Sequence, residues 1–180
     1  MRRPRSPLVH PVLSCLLVVA AAAGCTKASG PQVGELVPDF VLPRLDGTVQ
    51  KLSNYRGSPV LINLWATWCP PCIEEMPVLD RIVEDYGERG IVVLGLAGDD
   101  DPETVRTFLE KNPVDFEVLL DVGGDVGTRY GITGYPETFL VDREGRLREK
   151  IIGPLPAEAG RPAREVSATL EALLGGSGRG

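Results

Sequence analysis

Three residues separate an apolar run, Val60-Leu61-Ile62-Asn63-Leu64-Trp65, from the motif Cys69-Pro70-Pro71-Cys72. The run is of buried-strand type. Beyond the first cysteine, residues 70–88 read as a helix, with Ile73, Met76, Leu79, Val83 and Tyr86 at three- and four-residue steps. Pro77 lies inside it and is expected to kink it. A strand therefore ends where a helix begins, and Cys69 falls at the helix N-terminus. Unpaired backbone N–H groups and the helix dipole stabilise an anion there. Thiols at such sites titrate at about 3.5–7.5 instead of about 8.5. Two intervening residues place the second sulfur one turn on, close enough to bridge. Pro70 suits a helix start, where its missing N–H would be unpaired anyway, and Pro71 stiffens the turn. These positions make Cys69 the accessible nucleophile and Cys72 the shielded thiol that resolves a mixed disulfide.

The start of the chain bears on which chemistry the pair performs. Arg2, Arg3 and Arg5 precede an apolar stretch over residues 12–23, and Ala22-Ala23-Gly24-Cys25 follows. That is the order of an export signal, here residues 1–24. The stretch is short for a membrane span, which needs about 20 residues. A retained anchor helix is the competing reading. The small-small-Gly-Cys ending is similar to a bacterial lipobox, with Ala22 where a branched aliphatic is usual. Lipidation of Cys25 is expected, with an ordinary cut near Ala23 as the alternative. Residues 25–34 then form the lipidated cysteine and a tether. Residues 35–174 form one domain, and residues 175–180 a disordered tail.

Export settles the arithmetic of ligands. Of four cysteines, Cys15 leaves with the signal and Cys25 goes to lipid, and the sole histidine, His10, leaves too. Only Cys69 and Cys72 remain. No metal site is expected, because zinc needs about four ligands. A purely structural disulfide across two residues would close a very short loop and stabilise little. Redox use is the better reading, and it needs no cofactor. The whole chain carries a net charge of −6, and losing three arginines makes the domain more acidic. That argues against nucleic acid and against charge-driven adhesion to anionic lipid.

The remaining pattern is β-rich at both ends. Residues 39–42 and 48–52 flank Asp46-Gly47, a hairpin signal. Strands are expected at 91–97, 117–120, 137–141 and 147–152, and helices at 102–111, 126–130 and 164–174. Asp101 caps the first of these helices, with Pro102 at its first position. Strand-helix-strand units imply parallel pairing in the middle, and the closing hairpin implies an antiparallel edge. The expected fold is an α/β sandwich, a mixed central sheet flanked by helices, with an N-terminal β-hairpin.

Residues 60–79, centred on Trp-Ala-Thr-Trp-Cys-Pro-Pro-Cys, resemble the active-site segment of the TlpA/ResA/CcmG group of thioredoxin-like proteins. The resemblance covers residues 37–153. Gly134-Tyr135-Pro136-Glu137-Thr138-Phe139 is similar to that group's second signature. The resemblance implies a thioredoxin-like fold and extracytoplasmic thiol–disulfide exchange, on the outer face of a bacterial membrane. It implies a cis bond at Tyr135-Pro136 facing the cysteines, where X-Pro bonds in general are trans. It places Trp68, Pro70, Pro71, Tyr135, Pro136 and Glu137 at the client surface, although Glu137 reads equally as an exposed loop charge. Glu75 matches a glutamate that assists proton transfer near the buried cysteine; the competing reading is a solvated helix-surface residue like Glu74. Asn63 stands where ordinary thioredoxin carries a buried Asp. The implied partners are protein thiols and disulfides, with apocytochrome c as the leading client, and a membrane thiol donor. The protein is expected to act as a monomer.

Three rivals share the fold. A thiol peroxidase usually carries Thr three residues before its reactive cysteine, where this chain has Ala66, and lacks a C-x-x-C. A copper chaperone resembles a longer cysteine spacing plus a histidine. A non-catalytic interaction domain would use the disulfide only to rigidify a loop.

Overall fold

The structure, a computed structural model, describes residues 30–99 and 101–175. The expected export signal, Cys25, most of the tether and residues 176–180 lie outside them. Strands β1 (Val41–Pro43) and β2 (Val49–Lys51) make an antiparallel hairpin. It is shorter than the sequence indicates. The Asp39 carboxylate turns back to accept from the Phe40 and Ser53 N–H groups, and Leu52–Tyr55 closes into a 3-10 turn.

Then follow β3 (Val60–Trp65), α1 (Pro70–Tyr86), β4 (Val92–Ala97), α2 (Pro102–Lys111), β5 (Glu117–Leu120) and α3 (Asp125–Arg129). The chain ends with β6 (Glu137–Val141), β7 (Leu147–Ile152), a small hairpin of β8 (Ala157–Glu158) and β9 (Arg161–Pro162), and α4 (Arg164–Gly175). The small hairpin has no apolar alternation to announce it. Its turn relies on Ala159 and Gly160, both at positive φ. Gly175, expected in the tail, ends α4 instead.

The main sheet has the order β5-β4-β3-β6-β7. β3 pairs parallel with β4 and antiparallel with β6. This is the mixed, thioredoxin-like sheet expected from the sequence. β3 is buried along its whole length because helices cover both faces. Its residues alternate between two cores. Leu61 and Trp65 join the core under α1, α2 and α4, whereas Val60, Ile62 and Leu64 join the one under α3. Asn63 alternates with Leu61 and Trp65, so it points toward α1.

Candidate active site

The loop after β3 delivers Cys69 to the N-cap of α1. Cys69 is in extended conformation, and Pro70 and Pro71 fill the first helical positions. Its Sγ accepts the Cys72 N–H at 3.3 Å, and its carbonyl accepts the N–H groups of Cys72 and Ile73. Cys69 and Cys72 are joined as a disulfide. Cys69 is 4 % exposed and Cys72 1 %. The sequence points to an open Cys69; in the oxidised pair both are buried and the difference is small. Pro70 is exposed and Pro71 half-buried beside them.

Glu75 follows Cys72 by one turn and lies on the same side of α1. It is 3 % exposed, whereas Glu74 is on the solvent side. One carboxylate oxygen accepts from Asn63 Nδ2 at 2.8 Å, and the other from the Leu155 N–H at 2.7 Å. Asn63 also donates to Thr138 Oγ1 at 3.0 Å across the β3–β6 pair. Burial pushes the Glu75 carboxyl above the usual carboxylate range, against the downward pull of those two hydrogen bonds. A group so placed can hold a proton in an apolar setting.

Trp68 is 67 % exposed and meets the Tyr135 ring edge-on, with centroids 5.7 Å apart. The Tyr135-Pro136 bond is cis. The Tyr135 hydroxyl lies over Gly98, where an added Cβ would come within 1.9 Å of it. One residue on, the buried Asp99 carboxylate accepts from the Thr67 N–H at 3.0 Å and the Thr67 hydroxyl at 2.6 Å. Gly153 N–H in turn donates to the Pro136 carbonyl. The loop after β3, the ends of β4 and β7, and the loop before β6 therefore converge on one rim. A thiol pair at a helix start, beside a buried acid and an exposed tryptophan, can exchange disulfides with an extended partner.

The family described as AhpC/TSA matches residues 33–150. The chain belongs to that family. Among individual relatives, "Thiol-disulfide oxidoreductase ResA" of Bacillus cereus is 32 % identical over 145 residues, covering 77 % of this chain and 84 % of the relative. ResA of Geobacillus kaustophilus is 34 % identical over 150 residues, covering 79 % and 86 %. A crystal structure from Chlorobium tepidum, assigned as the thiol:disulfide interchange protein DsbE, superposes with a TM-score of 0.74 at 32 % identity. It covers 81 % of this chain and 99 % of that one. This AhpC/TSA member is a thiol–disulfide oxidoreductase with a Cys69–Cys72 pair.

Within this AhpC/TSA member, Glu75 lies buried on the Cys72 side of α1, which rules out its competing reading as a surface residue. The reading of Glu137 changes. Glu137 is neither an exposed loop charge nor a groove wall: it is 1 % exposed, on the α3 side of β6. Its carboxylate pairs with Lys150 at 2.8 Å and accepts from the Thr133 N–H and hydroxyl. Burial alone would raise its pKa, but Lys150 and Thr133 outweigh it and hold the carboxyl below the usual range. Glu137 thus fixes the loop that carries Tyr135 and Pro136 and stays out of a client's reach.

Asp99 is the site residue that sequence reasoning misses. The available signal was an acid at the C-terminal end of β4, the parallel neighbour of β3. Asp99→Ala should cost about 1.5–3 kcal/mol, the range for hydrogen bonds to a charged group. Urea unfolding measures that loss, and a shift of the Trp68 fluorescence would report the freed loop.

Proposed function

We propose that this protein works outside the cytoplasm, held to the membrane by a lipid on Cys25, as a reductant of protein disulfides. The placement of the pair carries the reading: Cys69 caps α1, and Cys72 sits one turn from the buried Glu75. In the reduced protein the Cys69 thiolate attacks one sulfur of a client disulfide. A Cys69–client disulfide forms and one client thiolate leaves. The Cys72 proton passes to the Glu75 carboxylate. The Cys72 thiolate then attacks Cys69 Sγ, forms the Cys69–Cys72 disulfide and expels the second client thiolate. Two electrons pass to the client, and its two thiolates take up two protons, one given back by Glu75 and one from water. A membrane thiol donor re-reduces the pair.

Trp68, Pro70, Pro71 and Tyr135 form the surface that meets the client, the buried Pro136 sets the backbone behind it, and the protein acts as a monomer. The Pro136-Glu137-Thr138 triplet supports the cytochrome c maturation branch, with apocytochrome c as client. A redox titration tests the direction of flow. A potential near about −270 mV fits a reductant, and one near about −120 mV would make the protein an oxidant.

The anchor is tested separately. Among the described residues no helix is long and apolar enough to cross a membrane; the Ala22-Ala23-Gly24-Cys25 ending supports attachment through Cys25. Cys25→Ala should move the protein from the membrane fraction to the soluble one. An intact mass showing unmodified Cys25 in the processed native protein would refute lipidation.

A further inference from the structure

Asn63 brings two donors and one acceptor to a fully buried position, and only its donors are used. Nδ2 donates to Glu75 Oε1 at 2.8 Å and to Thr138 Oγ1 at 3.0 Å. Its Oδ1 is buried without a partner. Buried polar groups are nearly always paired, so an orphaned carbonyl in a central strand needs an explanation.

The present arrangement suits a charged Glu75. A carboxylate only accepts, and it receives the Asn63 and Leu155 N–H groups. A neutral Glu75 brings a donor of its own. Oε2 already faces the Leu155 N–H, so the proton belongs on Oε1. There it would meet Nδ2, donor against donor. A half-turn of the amide removes the conflict. Oδ1 then accepts from the Glu75 hydroxyl and from the Thr138 hydroxyl, whose hydrogen can rotate to it. The atom orphaned in one state becomes the doubly bonded atom in the other. One polar atom is left over either way, so the amide can pair with both forms, although its N–H bond to the charged carboxylate is the stronger of the two.

We propose that Asn63 is the positioning residue for the proton on Glu75, offering N–H to the carboxylate and C=O to the acid by turning over. The inference rests on the reading that Glu75 accepts the Cys72 proton. That step moves one proton from Cys72 S–H to Glu75 and no electrons. Of the groups facing Glu75, Cys72 on α1 carries a proton only as the free thiol of the reduced protein and none in the disulfide. Asn63 on β3, Thr138 on β6 behind it, and the Leu155 N–H after β7 do not titrate. An aspartate at position 63 could not serve, because two carboxylates this close share a single proton and neither donates when charged.

The test is a pH titration of the purified oxidised protein by NMR. The Asn63 side-chain N–H signals should shift with the same midpoint as the Glu75 carboxyl carbon, and their contacts to Thr138 should vanish below it. Contacts that persist through the Glu75 midpoint would overturn the proposal without any variant. Asn63→Leu, similar in shape but unable to donate, should raise the Glu75 midpoint by about one pH unit, a tenfold gain in proton affinity. The pH profile for resolving a mixed disulfide should move with it. An unchanged midpoint in that variant refutes the role of Asn63 alone. Full resolution rate in Glu75→Gln, with the wild-type pH profile, removes Glu75 as the proton acceptor, and this proposal falls with it.

Discussion

Cys72→Ser should turn the protein from a catalyst into a trap. Cys69 keeps its helix N-cap position in this variant, so its thiolate still attacks a client disulfide. The sulfur that would release the client is gone. A serine hydroxyl at neutral pH does not displace a thiolate. Turnover should fall to the uncatalysed level while a covalent Cys69–client adduct accumulates. A non-reducing gel and intact mass show the adduct, and excess dithiothreitol should release it. Cys69→Ser should give neither turnover nor adduct. An adduct on Cys72 in that variant would reverse the two roles.

Glu75→Gln should slow resolution of the mixed disulfide about a hundredfold at neutral pH, the lower range for loss of a general acid–base group. The same variant should change how stability depends on pH. The sign follows from the raised folded-state pKa. The native state holds a proton that the unfolded chain releases in the ordinary carboxylate range. Stability is therefore full below that range. It falls as pH rises toward the folded value, and stays reduced above it. Glutamine does not titrate and escapes that loss. The stability of Glu75→Gln relative to wild type should be greater at neutral pH than near pH 4. Denaturant unfolding at the two pH values measures the difference. An equal gap at both would show that burial leaves the Glu75 proton affinity unchanged.

The sequence revealed elements better than it revealed contacts. The Cys69–Cys72 pair was legible because its chemistry depends on local geometry, a strand end followed by a helix start. The order of strands and helices followed from apolar runs and turn residues. Glu75 was harder to place. The apolar periodicity runs through Ile73, Met76, Leu79, Val83 and Tyr86, but Ile73 and Val83 are half-buried while Cys72, Val78 and Ile82 are buried. A carboxylate cannot announce its own burial through hydropathy, so the true face, and Glu75 on it, appears only once the helix is packed. The Glu137–Lys150 pair depends on register across the β6–β7 hairpin. Asp99 needs Thr67, thirty-two residues away, and no local pattern connects them.

The sheet order also sets the sequence in which this site is assembled. β3 finds β4 after a short loop containing α1, within some thirty residues, whereas its other neighbour β6 lies about eighty residues further along. Closing the shorter loop costs less entropy, and contacts close in sequence form fastest. In a chain emerging N-terminus first, β3, α1 and β4, with both thiols among them, are all present before residues 133–137 leave the ribosome. Such a nascent chain carries a reactive dithiol with no rim to choose what it meets. The fold makes its reactivity early and its selectivity late.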